Sequence, residues 1–328
     1  MNHGNLGRGA FYYMTGITVL NLLNVLLSFF FFHDLRQVYE AETGGGPGRL
    51  EITALVSICL NLVFLFWNSI LAKGWGRTLA AFVLTVLTAW LAEGLGVHYG
   101  YVFGHYHYSG MLGFQVWAVP MIVCLAWEPI LYSAYCLTDF LVPSEFGGSE
   151  SFLRRMLPYL VMAAIGGIAT TAWDLMIDPF AVRRGWWVWE YGGPYMRDIA
   201  NGVPISNFFG WWKVAFVCHL IYRLVLETGP HPRRSLYLSV YGPMMLYLNL
   251  FIGAMVGALL MLERPDVGMI GVACMGTLLL LGGAKIFLLK QGVEPSPADP
   301  WLQGRSGGVS AENLSNPPAP SVLQRATT

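Results

Sequence analysis

The sequence predicts an all-α, polytopic integral membrane helix bundle of about eight transmembrane helices, with seven as the alternative count. Three observations carry that prediction. Of 328 residues, 55% are hydrophobic and only 12% charged, against about a quarter charged in soluble proteins, which leaves too little polar surface to clothe a globule in water. The apolar residues fall in runs of about twenty, the length that crosses a hydrocarbon core of about 30 Å at 1.5 Å per residue. Glycine, proline and charge gather between the runs.

Charge narrows the partners. The 19 basic and 19 acidic residues cancel, so nothing in the net charge attracts nucleic acid or an anionic substrate. The lipid bilayer is the expected surrounding and nucleic acid is not. Five cysteines (Cys59, Cys124, Cys136, Cys218 and Cys274) lie in apolar runs without a CxxC pair, which suits packing rather than zinc or disulfides.

Taken in order, the first span runs from Ala10 to Phe32; it is longer than the apolar core of a signal peptide and lacks a clear cleavage site after it. A glycine-rich loop, His33 to Arg49, leads to a second span, Leu50 to Ala72. After a tight connection, Thr78 to Gly96 forms the third, with Glu93 near its end. HYGYVFGHYHYSG then reads as an interfacial turn rich in aromatic residues. Phe114 to Leu141 is the fourth span, with Pro120 and Pro129 as expected kinks and Glu128 within it. Leu157 to Asp178 is the fifth, ending at Pro179, which disfavours helix continuation. Phe208 to Leu226, Tyr237 to Leu262 and Val267 to Leu289 complete the set. Residues 1–290 form the membrane domain. Residues 291–328, rich in Pro, Ser, Gly and Asn, are expected to be disordered.

Eleven Lys and Arg fall on the side of the N-terminus and six on the other. The rule that positive loops stay inside then puts both termini in the cytoplasm, in the cell (inner) membrane of a bacterial-type cell.

Chemistry concentrates between Trp173 and Trp212. Asp174 and Asp178 stand one helical turn apart, so on a continuous helix they share a face within about 6 Å. Asp178 is read equally well as capping a helix end or pairing with Arg183 and Arg184. Asp174 lies deeper, and a carboxyl in apolar surroundings keeps its proton to higher pH, which suits a proton donor. Glu93 is a second acid near a helix end on the same predicted side; either it fixes packing or it joins the aspartates. Trp186, Trp187, Trp189 and Tyr191 fit an interfacial aromatic belt, or a wall whose ring faces stabilise a cation.

His98, His105 and His107 raise a metal reading, but seven histidines in all, without HxxxH or HxxHH, disfavour it. His105 and His107 would share a side only in an extended strand. Walker, GxGxxG and HExxH motifs are absent from the sequence. A transporter with polar residues in broken helices stays open at this point.

Two blocks carry a family resemblance. AEGLGVHYGYVFGHYHYS (Ala92 to Ser109) and TTAWDLMIDPFAVRRGWWVWEYGGPYMRDIANGVPISNFFGWW (Thr170 to Trp212) resemble the CruF-type carotenoid biosynthesis proteins. These are membrane carotenoid hydratases that include the bisanhydrobacterioruberin hydratases. The matching features are Glu93, Gly96, Gly100, Phe103, Gly104, Tyr106 and Tyr108, then Trp173, Asp174, Asp178, Pro179, Gly185, Trp187, Trp189, Gly202, Pro204, Asn207, Phe208, Gly210 and Trp211. The connection GGPYMRDIANGVP is longer and more charged than the family pattern.

The resemblance implies addition of water across the terminal C=C bond of an acyclic carotenoid end group, with no cofactor and no metal. Asp174 or Glu93 would be the acid, and the other acid or Asp178 the base that guides water. Trp173, Trp187, Trp189 and Tyr191 would form the wall, with Phe103, Tyr106, Tyr108 and Trp211 also against the substrate and Asn207 as an anchor. Other enzymes of the carotenoid pathway are candidate partners. The rival readings are a lycopene-type cyclase, which quenches the same cation by ring closure, and a carotenoid- or lipid-binding membrane protein or transporter without chemistry.

Overall fold

The computed structural model describes residues 3–32, 49–142, 152–191, 202–226, 237–261 and 264–290. Helix α1 (His3–Phe32) packs along α2 (Arg49–Lys73), and Gly74, at φ 92°, turns the chain directly into α3 (Trp75–Tyr99). Gly100 ends α3 in the left-handed conformation, φ 69°, the usual device for stopping a helix. The fourth helix, α4 (Met121–Leu141), is followed by α5 (Phe152–Arg184) and α6 (Ile205–Leu226). Helix α7 (Gly242–Val256) carries a π turn at each end, Tyr237–Tyr241 and Gly257–Met261. A last rod joins α8 (Pro265–Gly271) to α9 (Thr277–Lys290) through a third π turn, Val272–Gly276.

Seven helical runs among the described residues are long and apolar enough to cross a membrane, and α1 adds another rod of 30 residues. The chain is a multi-pass membrane bundle. Its outward faces carry Leu, Val and Phe side chains, as lipid requires, and polar side chains such as Asn68, Thr85, Glu128 and Asn249 are buried inside. Helix α5 packs most extensively on α6, and α3 also lies against α6.

Two small strand pairs depart from the purely helical expectation. The turn after α3 contains β1 (His105–Tyr108), which pairs antiparallel with β4 (Trp187–Tyr191), setting Tyr106 opposite Trp189 and Tyr108 opposite Trp187. Strand alternation sends Tyr106 inward and leaves His105 and His107 exposed. A tight hairpin, β2 (Gln115–Val116) and β3 (Val119–Pro120), precedes α4.

Two proline readings are corrected. Pro120 stands at the start of α4 in extended conformation rather than kinking a longer helix. Pro179 does not end α5, which continues to Arg184. The ring forfeits one backbone bond, but Phe180 and Ala181 are buried against Leu112 and Trp186, and that packing carries the helix past it. The Tyr191 side chain, the GGPYMRDIANGVP connection up to Asn201 and the tail 291–328 lie outside the described residues.

Candidate active site

Because α5 remains helical through Pro179, Asp174 and Asp178 keep one face, and both are buried. Asn207, in the first turn of α6, inserts its side-chain amide between them. It donates to Oδ2 of Asp174 at 3.1 Å and to Oδ2 of Asp178. The other carboxylate oxygen of Asp174 accepts no hydrogen bond among the described residues.

Glu93 approaches from α3, also buried, and its charge acts on both aspartates. Its Oε2 accepts the hydroxyls of Tyr106 and, at 2.8 Å, Tyr108, while Trp127 of α4 donates its indole N–H to Oε1 at 3.0 Å. A Cβ built on Gly96 would stand 2.7 Å from the Tyr106 ring, so glycine one turn along from Glu93's neighbours is what lets the phenol reach the acid. Burial, then the charge of Glu93, pushes the Tyr106 and Tyr108 hydroxyls well above the usual phenol range, so they remain donors.

No Lys or Arg pairs with these three carboxyls among the described residues. Arg184, one of the two arginines offered as alternative partners of Asp178, meets Glu51 at 3.0 Å. Three acids from two helices therefore share a buried volume with amide, indole and phenol donors only. Without a cationic partner to hold them ionised, buried carboxyls in such an arrangement can keep or exchange protons.

Beside the acids lies an open-sided apolar cleft with a cavity volume of about 210 Å³. Trp127, Trp173, Trp186, Trp187 and Trp211 form much of its wall. Trp127 stacks on Trp211 with ring centroids 3.7 Å apart and planes 15° from parallel. The acids do not line the cleft; they stand behind its tryptophans, one of which, Trp127, hydrogen-bonds Glu93.

The sequence-predicted set divides accordingly. Trp173, Trp187 and Trp211 line the cleft, and Asn207, Tyr106 and Tyr108 bind the acids. Phe103 and Trp189 form the next layer: Trp189 lies 5.5 Å from Tyr106 and donates to the Phe103 carbonyl at 3.3 Å. Trp127 was missed. Its signal, a tryptophan directly before Glu128 in an apolar run, was visible but unremarkable. Glu128 itself is held apart from the three acids by Thr85 and, at 2.8 Å, Tyr222.

The histidines disperse. His98 stacks on Trp117, His107 faces Glu190 at the surface, and buried His219 meets Thr170 at 2.9 Å. Among the described residues no group of three or more His, Cys, Asp or Glu is arranged to hold a metal ion.

A bilayer-embedded bundle with three buried acids behind an aromatic cleft is the architecture of a membrane protein suited to long apolar molecules. Residues 53–281 match the family model described as "Carotenoid biosynthesis protein", and the chain belongs to that family. Membership carries a role in carotenoid modification. A bisanhydrobacterioruberin hydratase from Haloarcula japonica is 27% identical over 155 residues, which cover 47% of this chain and 47% of that relative. The match thus spans about half the length of the curated relative. No solved structure matches the chain.

Proposed function

We propose that this protein hydrates the terminal C=C bond of an acyclic carotenoid end group, without a redox change. The observation that carries the reading is the placement of Glu93, Asp174 and Asp178, buried and without cationic partners among the described residues, directly behind a wall of indoles. The hydratase name of the Haloarcula japonica relative supports the same reaction.

Asp174 is the proposed acid, because Asn207 occupies one of its oxygens and leaves the other without a hydrogen bond. Its proton passes to the less substituted alkene carbon, and the positive charge develops on the tertiary carbon. Indole faces along the cleft stabilise that charge. Water adds its oxygen to the cation and loses a proton to Asp178 or Glu93, so the sum is one water gained. Proton transfer of this kind contributes on the order of a hundred- to ten-thousandfold. Asp174 does not line the cleft, so the alkene end has to pass the tryptophan wall to reach it.

The substrate enters from the bilayer, the membrane is the cell (inner) membrane, and both termini face the cytoplasm by the distribution of basic residues. Other carotenoid-pathway enzymes are proposed as neighbours. Expression in a lycopene-producing host tests the reading by product mass. A gain of one water supports it. An isomer of unchanged mass replaces it with a cyclase, and bound carotenoid without product replaces it with a binding protein.

A further inference from the structure

The cleft carries a second polar feature, apart from the three acids. Asn21 of α1, Asn61 of α2 and Asn249 of α7 come together on its wall, with exposures of 3%, 5% and 4%. The amides of Asn21 and Asn249 both donate to Oδ1 of Asn61, at 3.4 and 2.7 Å. The carbonyl oxygens of Asn21 and Asn249 are thereby left buried, and neither accepts a hydrogen bond among the described residues.

Helix packing alone does not call for this arrangement. Two amides satisfy one another in pairs, whereas here three converge and leave two strong acceptors unmet, which is costly away from water. What the set lacks is a donor. The rest of the wall is apolar apart from Thr53 and Ser57, and no acid or base lies among the cleft's lining residues, so the complement is a neutral group.

We infer that the Asn21, Asn61 and Asn249 trio is a binding site for a neutral O–H donor within the cleft, supplied either by a hydroxyl on the polyene or by a water molecule. The inference rests on the carotenoid reading of the cleft. An alcohol held there sets the depth to which a chain ligand slides. A water held there by its hydrogens turns its oxygen lone pairs outward, the orientation that a cation-capturing nucleophile requires.

The test uses the full chain in detergent with Asn21→Leu and Asn249→Leu. Binding of lycopene and of its tertiary monoalcohol is read by quenching of tryptophan fluorescence, and turnover of lycopene by product mass. If the polyene supplies the hydroxyl, the wild type binds the alcohol about five- to tenfold more tightly than lycopene, and each variant abolishes the preference. If water supplies it, lycopene binding is unchanged and turnover falls about tenfold or more in each variant. Variants matching the wild type in both preference and turnover overturn the site and leave the asparagines as helix contacts. Asn21→Ser and Asn249→Ser, read in the same way, cover the case in which a leucine variant does not fold. Should the wild type turn over no carotenoid, the hydratase reading fails separately. Binding then decides the site: a lost preference for the alcohol supports it, and no preference in the wild type overturns it.

Discussion

Trp127 donates its indole N–H to Oε1 of Glu93 at 3.0 Å while the same residue lines the cleft, so one side chain joins the apolar wall to the acid behind it. Replacing it with phenylalanine keeps an aromatic surface and removes the donor. Trp127→Phe is expected to lower hydration about ten- to hundredfold, the worth of one hydrogen bond to a carboxyl group. Product formed per amount of membrane-inserted protein checks this, and unchanged product would detach Glu93 from the chemistry.

The two aspartates and Asn207 act as a unit. Asp174→Asn is expected to abolish product while leaving membrane expression intact, because the amide retains the shape and loses the proton. Asn207→Leu removes the donor shared by Oδ2 of Asp174 and Oδ2 of Asp178. Activity should fall by at least about a hundredfold and stability by about 1–3 kcal/mol, the cost of stranding buried polar groups. Thermal unfolding in detergent beside product analysis separates the two effects. Full activity in Asp174→Asn would move the acid to Glu93.

How far the site could be read beforehand depended on what each residue does alone. Glu93 and Asp174 were legible because an acid in an apolar run is anomalous by itself. Trp127 was not, since a tryptophan in a span is ordinary until its indole is seen on Glu93. The pairing of His105–Tyr108 with Trp187–Tyr191 was hidden for a different reason: strands so short carry no periodic signal, and their partners lie some eighty residues apart. Pro179 misled because its local rule was outweighed by burial of Phe180 and Ala181 further along α5. Asn21, Asn61 and Asn249 sit in three different helices, and only the packing of those helices brings them together.

Gly96 makes a steric prediction. Since a Cβ there would stand 2.7 Å from the Tyr106 ring, Gly96→Ala must push the phenol away from Glu93. A loss of about 1–3 kcal/mol in stability is expected from overpacking, together with reduced activity. Gly253→Ala, where the space beyond Cα is open, should leave stability within about 0.5 kcal/mol, as thermal unfolding of both variants would show.

The tyrosines predict a pH dependence. Tyr106 and Tyr108 ionise in the folded protein well above the usual value of about 10, through burial and then the charge of Glu93. Their contribution to stability is therefore complete below about pH 10 and is lost as pH rises toward the folded value. Unfolding midpoints should be insensitive to these phenols from pH 7 to 9 and decline above about pH 10. In Tyr106→Phe and Tyr108→Phe the alkaline decline should be shallower, and an unchanged slope would assign it to other groups.

The cleft itself can be closed without touching an acid. Gly253 lines it from α7, on a different helix from Glu93, Asp174 and Asp178, and a Cβ added there meets nothing within 4 Å. Gly253→Phe is accordingly expected to insert and fold as the wild type does, because the new ring enters open space. That ring would occupy the volume a polyene needs between α7 and the tryptophan wall. Carotenoid binding and product should both fall by about tenfold or more, as one displaced aromatic contact surface implies. If product persists at the wild-type level in Gly253→Phe, the carotenoid reaches the acids by another route, and the tryptophans are a packing layer rather than the wall of its site.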